Sequence, residues 1–156
     1  MLDQISTTIR TTSAAATEQL GEEIGKRLRG GETIELVSDL GGGKTTFVRG
    51  LARGFGSTDR VSSPTFTISR EYKAGDRTLF HFDFYRLHEA GIVANELAEA
   101  AYDSKASVVV EWGDIVADVL PAERLTITIR AVGDTERELT LACPKQLRYL
   151  VPEHRS

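Results

Sequence analysis

Apolar residues recur every four positions in the segment SAAATEQLGEEIGKRLRGG, close to the N-terminus. A stripe of this period lies along one face of an α-helix. The stripe consists of Ala16, Leu20, Ile24 and Leu28. Thr12 or Ser13 is suited to cap the start of this helix, and the pair Gly30–Gly31 marks its end. The pattern therefore predicts a first amphipathic helix.

A short apolar segment, TIELV, follows the first helix and is rich in β-branched residues, as expected of a buried strand. A run of glycines comes next. The segment KTTFVRGLARGFG then places Phe47, Leu51 and Phe55 on one helical face. We therefore predict a strand, a glycine-rich loop and a helix in direct succession.

The segment from Thr65 to Leu87 has the pattern of a β-hairpin, with two β-rich runs around Ala74-Gly75-Asp76. In its second run, phenylalanines alternate with other residues. Side chains of successive strand residues point to opposite faces of a sheet. One face is predicted to carry Phe80, Phe82 and Phe84. The opposite face is predicted to carry His81, Asp83 and Tyr85.

The rest of the chain extends this mixed pattern. Residues 96–105 predict a short helix, and the β-branched run Ser107–Glu111 predicts a central strand. Residues 124–143 predict a second hairpin that turns near Gly133-Asp134, and the tail, residues 144–156, is expected to be weakly structured. We predict a single α/β domain over residues 1–156, with a mixed sheet that has a parallel core and antiparallel hairpins and is flanked by helices.

Composition narrows the class of protein. The chain has 156 residues, 40% hydrophobic and 27% charged, which is typical of a globular domain. Its net charge of −4 argues against strong binding to a nucleic-acid backbone by the chain alone. The single cysteine, Cys143, cannot form an intramolecular disulfide and is expected to be a small core or edge residue. The N-terminal segment does not resemble a signal peptide, so a cytoplasmic location is expected.

The glycine run fits a phosphate-binding loop of the form Gly-x-x-x-x-Gly-Lys-Ser/Thr, except that Ser38 replaces the first glycine. Residues Gly41 to Gly43 tolerate positive φ, which lets consecutive backbone N–H groups face a phosphate. Lys44 is placed to reach the β- and γ-phosphates, and Thr45 to offer its hydroxyl to Mg²⁺. Ser38 lies where the chain leaves the strand, away from those N–H groups. We therefore predict a nucleotide site that tolerates this serine. The structural alternative is an ordinary glycine-rich connection between a strand and a helix.

Two acidic residues are candidates to order a metal ion and the attacking group. Glu111 ends the central strand, where open α/β sheets place ligand-binding groups. Asp83 lies on the polar face of the first hairpin. The structural alternatives are a turn cap for Glu111, an ion pair with a neighbouring base for Asp83, and a hydrogen-bonded core residue for His81.

The segment VSSPTFT, from Val61 to Thr67, follows the loop helix and is rich in hydroxyl groups. In nucleotide switches such a segment closes over the metal and the γ-phosphate. Thr65 carries the hydroxyl of interest. The alternative is an ordinary Ser-Pro turn, and the residues alone leave both open.

Four motifs in series resemble one family: DLGGGKTTFVRG, VSSPTFT, HFDFYRL and VVVEWGD. Together with the early TEQLG helix, they resemble the TsaE family, over roughly Thr17 to Arg137. This resemblance implies a P-loop fold that binds ATP and Mg²⁺ and hydrolyses ATP. It also implies service in bacterial synthesis of threonylcarbamoyladenosine in tRNA. The implied partners are the threonylcarbamoyl transferase and its inactive paralogue, with tRNA reached through their complex and no membrane involved.

The resemblance also implies roles for particular residues. The phosphate-binding set is Asp39, Leu40, Gly41, Gly42, Gly43, Lys44, Thr45 and Thr46. Thr45, Asp83 and Glu111 match the metal site, and the two acids also match the catalytic positions. Trp112 and Arg137 are implied to lie near the nucleotide. The chain departs from the family pattern at Ser38, at Gly42 where alanine is usual, and mildly at Asp114.

Two other functions are compatible with the loop. A small-molecule kinase would need an arginine-bearing lid, and the chain has no Arg-rich insertion before the second hairpin. A nucleotide-dependent binding subunit without turnover of its own fits the small size. A GTPase is disfavoured because the tetrapeptide Asn-Lys-x-Asp is absent from the sequence.

Overall fold

The computed structural model describes residues 4–38, 43–61, 69–84, 91–112 and 117–153, with the backbone alone at 91–93. The chain forms, in order, β1 (Gln4–Thr11), α1 (Ala14–Arg27), β2 (Thr33–Ser38), α2 (Lys44–Phe55), β3 (Ser69–Ala74), β4 (Arg77–Asp83), α3 (Gly91–Ala101), β5 (Ala106–Glu111), β6 (Leu125–Ala131) and β7 (Arg137–Pro144), followed by a 3₁₀ helix (Lys145–Leu150). In this part of the chain, no helix is both long and apolar enough to span a membrane.

One seven-stranded sheet organises these elements, in the order β1-β7-β6-β2-β5-β4-β3. The four strands β6, β2, β5 and β4 run parallel, while β7 pairs antiparallel with β6 and β1, and β3 pairs antiparallel with β4. The carboxyl ends of the parallel strands therefore meet at one edge of the sheet. The predicted mixed sheet, with a parallel core and antiparallel hairpins, is confirmed.

The core lies on both faces of the sheet. On one face, α1 and α2 cover a large apolar cluster that includes Phe47, Leu51 and Val109. On the other face, α3 covers a smaller cluster that includes Phe82 and Val110. All six residues of β5 are buried, as the β-branched run predicts for a strand covered on both sides. Burial also raises the pKa of the Cys143 thiol, and this residue is a core residue as expected.

Glycines let α1 and α2 pack with their backbones in close approach. A Cβ atom built at Gly21 would collide with the carbonyl oxygen of Phe47, and one built at Gly50 would collide with that of Glu18. Outside this contact, Arg53 of α2 bonds Glu18 of α1 at 2.6 Å. The Arg53 hydrogen bond is the leading cause of a lowered pKa for Glu18. The helix that begins at the predicted loop, α2, is therefore held in close contact with α1.

The opposite, amino-terminal edge of the parallel core contains a buried carboxylate, that of Glu32, which is 3% exposed. Its oxygens accept hydrogen bonds from the backbone N–H groups of Arg29 and Gly30, the Ser107 hydroxyl and the Tyr149 hydroxyl, at 2.6 to 2.9 Å. Burial alone would raise the pKa of Glu32, but these four bonds outweigh it and lower that pKa. Burial, together with the Glu32 carboxylate, raises the pKa of Tyr149.

The elements agree with the sequence predictions except at three places. Strand β1 was not predicted, because half of its eight residues are small hydroxyl-bearing ones and only two, both isoleucine, are strongly apolar. Helix α3 begins at Gly91 and ends at Ala101, earlier than the predicted range 96–105. The tail is more structured than expected, since the 3₁₀ helix buries Leu147 and Leu150. In the first helix Ser13 is the cap, and its side chain accepts from the N–H of Ala16 at 3.0 Å.

Candidate functional site

The predicted loop lies between β2 and α2, at the carboxyl edge of the sheet. Strand β2 ends at Ser38, and α2 begins at Lys44. Gly43 caps the helix with φ of 101°, a left-handed conformation that favours glycine. The strand and helix that flank the loop are confirmed, whereas the predicted residues Asp39, Leu40, Gly41 and Gly42 lie outside the described part of the chain.

The first residue of α2 pairs with the last residue of β5. The Lys44 ammonium lies 3.6 Å from Oε1 of Glu111, and their side chains are only 10% and 5% exposed. The same ammonium lies 4.8 Å from the centroid of the Trp112 ring. A cation above an indole face is attracted by the ring quadrupole. Three predicted site residues are thus brought into contact by the fold.

Trp112 has an unusual backbone conformation, with φ of 58°. Positive φ is uncommon for a residue with a side chain and often marks a functional site. The residue follows Glu111 directly, and its side chain remains 36% exposed. This turn at the end of β5 places the indole beside Lys44.

The second predicted acid, Asp83, stands next to Glu111 at the sheet edge. It ends β4, and its Cα is paired in register with that of Glu111 on the parallel strand β5. The N–H of the next residue, Phe84, donates to the Glu111 carbonyl at 3.1 Å. The two acids, distant in sequence, therefore project from neighbouring positions, and Asp83 is only partly buried.

Arg137 approaches the start of α2 from strand β7, which lies on the other side of β2 from β5 in the sheet. It begins β7, after the turn that follows β6, and its Nε lies 3.7 Å from the position a Cβ atom would occupy on Gly43. Its Nη1 donates to the carbonyl oxygens of Gly133 and Glu136, at 3.1 and 2.9 Å. These bonds hold a guanidinium group beside the N-terminus of α2, where we predicted a nucleotide-facing arginine.

The two threonines after Lys44 occupy the first turn of α2. Thr45 and Thr46 are each partly buried, so neither is closed off in the core. The proposed switch segment lies almost entirely outside the described residues, because only Val61 of the range 61–67 is described and Thr65 is not.

His81, treated above as a candidate core residue, is fully buried and contacts the site. Its Nε2 lies 2.5 Å from Oε2 of Glu111, and its Nδ1 lies 3.2 Å from the hydroxyl of Tyr72. Sequence reasoning missed Tyr72. The turn at Gly75 sets the hairpin register, and that register places Tyr72 diagonal to His81 on the same face. Tracing the hairpin back from His81 would therefore have found it.

The donor set is suited to a shared rather than a self-contained metal site. Within the described ranges, no three His, Cys, Asp or Glu residues lie together so as to hold a metal ion. Mg²⁺ is usually bound through one or two carboxylates plus substrate phosphates, not by an all-protein cage. Asp83 and Glu111 carry carboxylates and Thr45 a hydroxyl, which are donor types that Mg²⁺ arriving with a nucleotide would require.

The parallel core, the glycine-capped helix that follows β2 and the acid at the end of β5 define a P-loop α/β fold. The family model described as "Threonylcarbamoyl adenosine biosynthesis protein TsaE" matches residues 11–139. The chain is 38% identical to the tRNA threonylcarbamoyladenosine biosynthesis protein TsaE of Bacillus subtilis, over 84% of this chain and 82% of that protein. It is 42% identical to the protein of that name from Streptomyces coelicolor, over 78% of this chain and 84% of the relative.

Solved structures agree with the sequence comparisons. The crystal structure of Bacillus subtilis YdiB superposes with a TM-score of 0.71 at 33% identity, covering 96% of this chain and 90% of that one. The chain therefore belongs to the TsaE family of tRNA threonylcarbamoyladenosine biosynthesis proteins, as its four motifs predicted.

Proposed function

We propose that the protein is a Mg²⁺-dependent ATP-binding and ATP-hydrolysing subunit required for the threonylcarbamoyl modification of adenosine in tRNA. Its proposed partners are the threonylcarbamoyl transferase and that enzyme's inactive paralogue, and it reaches tRNA through their complex in the cytoplasm. The observation that carries the proposal is the contact between Lys44, at the start of α2, and Glu111, at the end of β5. Relatives named for this biosynthesis support the pathway.

Phosphate binding is proposed to use the N-terminus of α2. The first N–H groups of a helix have no intrahelical acceptor, and the helix dipole favours an anion there. Lys44 adds a buried ammonium, and Arg137 adds a guanidinium held beside Gly43. Residues 39–42 would complete the loop around the phosphates. Together these groups would supply positive charge to a phosphate bound at the N-terminus of α2.

The metal is proposed to lie between the phosphates and three side chains, those of Thr45, Asp83 and Glu111. When bound, Mg²⁺ would draw negative charge from the phosphate oxygens and so favour transfer of the terminal phosphoryl group. The two carboxylates are also the proposed catalytic groups, because a carboxylate can accept a hydrogen bond from an attacking water. The indole of Trp112 covers one side of Lys44 and limits the access of solvent to that ammonium.

The decisive experiment measures phosphate release from ATP by the chain alone, by the chain with the two proposed partners, and by that mixture with tRNA. We expect slow release by the chain alone and faster release in the mixture. Binding of ATP without release in any mixture would favour the nucleotide-dependent binding subunit. Phosphate found on a small acceptor would favour the kinase. No detectable nucleotide binding would overturn the proposal.

A further inference from the structure

The buried carboxylate of Glu111 is held from two sides. One oxygen faces the Lys44 ammonium at 3.6 Å, and the other lies 2.5 Å from Nε2 of His81. Glu111 is 4% exposed and His81 is 0% exposed, so both contacts are shielded from solvent. A hydrogen bond to a charged group contributes more than a neutral one, especially in a low-dielectric interior.

Hydrogen-bond chemistry gives this contact a direction. An ionised carboxylate only accepts, so Nε2 of His81 is the donor. A neutral imidazole then has its acceptor at Nδ1, which faces the Tyr72 hydroxyl at 3.2 Å. Tyr72, His81 and Glu111 lie on the adjacent strands β3, β4 and β5. The three side chains form a buried line of hydrogen bonds that ends at the proposed metal site.

We propose that His81 is a positioning residue for Glu111, and that Tyr72 fixes the orientation of the His81 ring. This inference rests on the proposed function, in which Glu111 holds Mg²⁺ and Lys44 turns to the phosphates. Once Lys44 has a phosphate partner, His81 is the contact that still orients the Glu111 carboxylate. Groups that orient metal-binding side chains in this way commonly change metal affinity or activity by about 10–100-fold when removed.

A matched pair of variants isolates the hydrogen bond from the volume of the side chain. His81→Gln keeps an N–H donor on an unbranched side chain. His81→Met introduces a side chain that is similar in shape to glutamine but lacks that donor. The full chain is titrated with Mg²⁺ at a fixed concentration of a non-hydrolysable ATP analogue, and binding is followed by calorimetry. Affinity for the analogue in excess EDTA and the free energy of unfolding in urea are measured in parallel.

For His81→Met, we expect a roughly 10–100-fold rise in the Mg²⁺ concentration that gives half of the maximal gain in analogue binding. His81→Gln should stay within about threefold of the wild type, and both variants should keep the analogue affinity in EDTA, because the N-terminus of α2 is unchanged. Equal Mg²⁺ dependence of the methionine variant and the wild type would overturn the role of His81. A methionine variant that loses analogue affinity equally with and without Mg²⁺ would overturn it too, since that result indicates general damage to the site.

A second arm tests the line of bonds through Tyr72. Tyr72→Phe should raise the half-maximal Mg²⁺ concentration by roughly 2- to 10-fold, as expected for one neutral hydrogen bond. Tyr149→Phe is the matched control, because it also removes a hydroxyl that neighbours a buried charge network, but at the opposite edge of the sheet. Equal Mg²⁺ dependence in the two phenylalanine variants would overturn the inference, and this arm decides if the His81 variants do not fold. A wild-type chain that binds the analogue with no Mg²⁺ dependence would instead refute the proposed function.

Discussion

The Lys44 ammonium lies 3.6 Å from a carboxylate oxygen of Glu111, joining the first residue of α2 to the last residue of β5. Both side chains are nearly buried, so water screens the pair only weakly. The arrangement leaves the N-terminus of α2 without a bulky side chain at Gly43 and with a cation at its first helical position. A phosphate group placed there would compete with Glu111 for the same ammonium.

Removing the ammonium tests the phosphate site. Lys44→Ala should weaken ATP binding by about 1.5–3 kcal/mol, because a charge-assisted contact with the phosphates is lost. That loss corresponds to roughly a 10- to 150-fold rise in the dissociation constant, measured by calorimetry. Lys26→Ala is the control, since the Lys26 side chain is 59% exposed and pairs with Glu22, one turn earlier in α1, at 3.8 Å. Unchanged ATP affinity in Lys44→Ala would contradict the loop assignment.

Neutralising the carboxylate at the end of β5 tests its catalytic role. Glu111→Gln keeps the shape of the side chain, so we expect folding and ADP binding to persist. Partner-stimulated ATP hydrolysis should fall by roughly 100-fold or more, the range for loss of an acid–base group. Glu35→Gln is a matched control, because Glu35 is also buried and paired with a cation, Arg124, which directly precedes β6. Normal turnover in both Glu111→Gln and Asp83→Asn would refute the assignment of these acids.

Adding one methyl group between α1 and α2 tests their close packing. In an isolated helix, glycine to alanine is stabilising by about 0.8–1.0 kcal/mol. Gly50→Ala should instead destabilise the protein by about 1–3 kcal/mol, because the new Cβ meets the Glu18 backbone. Urea unfolding gives the free-energy change. Gly133→Ala serves as the control, since its nearest contact is 3.4 Å away on the Glu136 side chain, and a stabilised Gly50→Ala would disprove the packing argument.

The buried carboxylate of Glu32 predicts a specific pH dependence of stability. Its pKa is lower in the folded protein, so the folded state binds this proton less readily than the unfolded state. The stabilisation is fully present above the ordinary glutamate pKa, about 4.3, and is lost as pH falls through the lower folded value. Glu32→Gln should lower the free energy of unfolding by about 1–3 kcal/mol at pH 7. The variant should also lose less of its stability as the pH falls.

Urea unfolding at a series of pH values from neutral to acidic checks this prediction. Glu138→Gln is the control, because Glu138 is a partly exposed carboxylate whose cation partner, Arg130, is 4.0 Å away. If the wild type and Glu32→Gln lose stability equally steeply at acidic pH, other groups cause that loss.

Much of the fold was predictable because the signals are local. The four-residue apolar period located α1, and the alternation of Phe80, Phe82 and Phe84 located β4 and its faces. Gly75 marked the turn between β3 and β4. Strand β1 was missed because half of its residues are hydroxyl-bearing, and its place is decided by pairing with β7, far along the chain. A local sequence pattern does not indicate a partner strand so far along the chain.

The sequence by itself determined the family, the loop residue Lys44 and the acids Asp83 and Glu111 as candidates. Each of these lies in a short motif whose spacing follows strand, turn and helix geometry. Only the tertiary structure decided that His81 and Tyr72 line up behind Glu111, and that Arg137 lies beside Gly43. These contacts depend on the register and order of the strands, which arise from packing many distant residues at once.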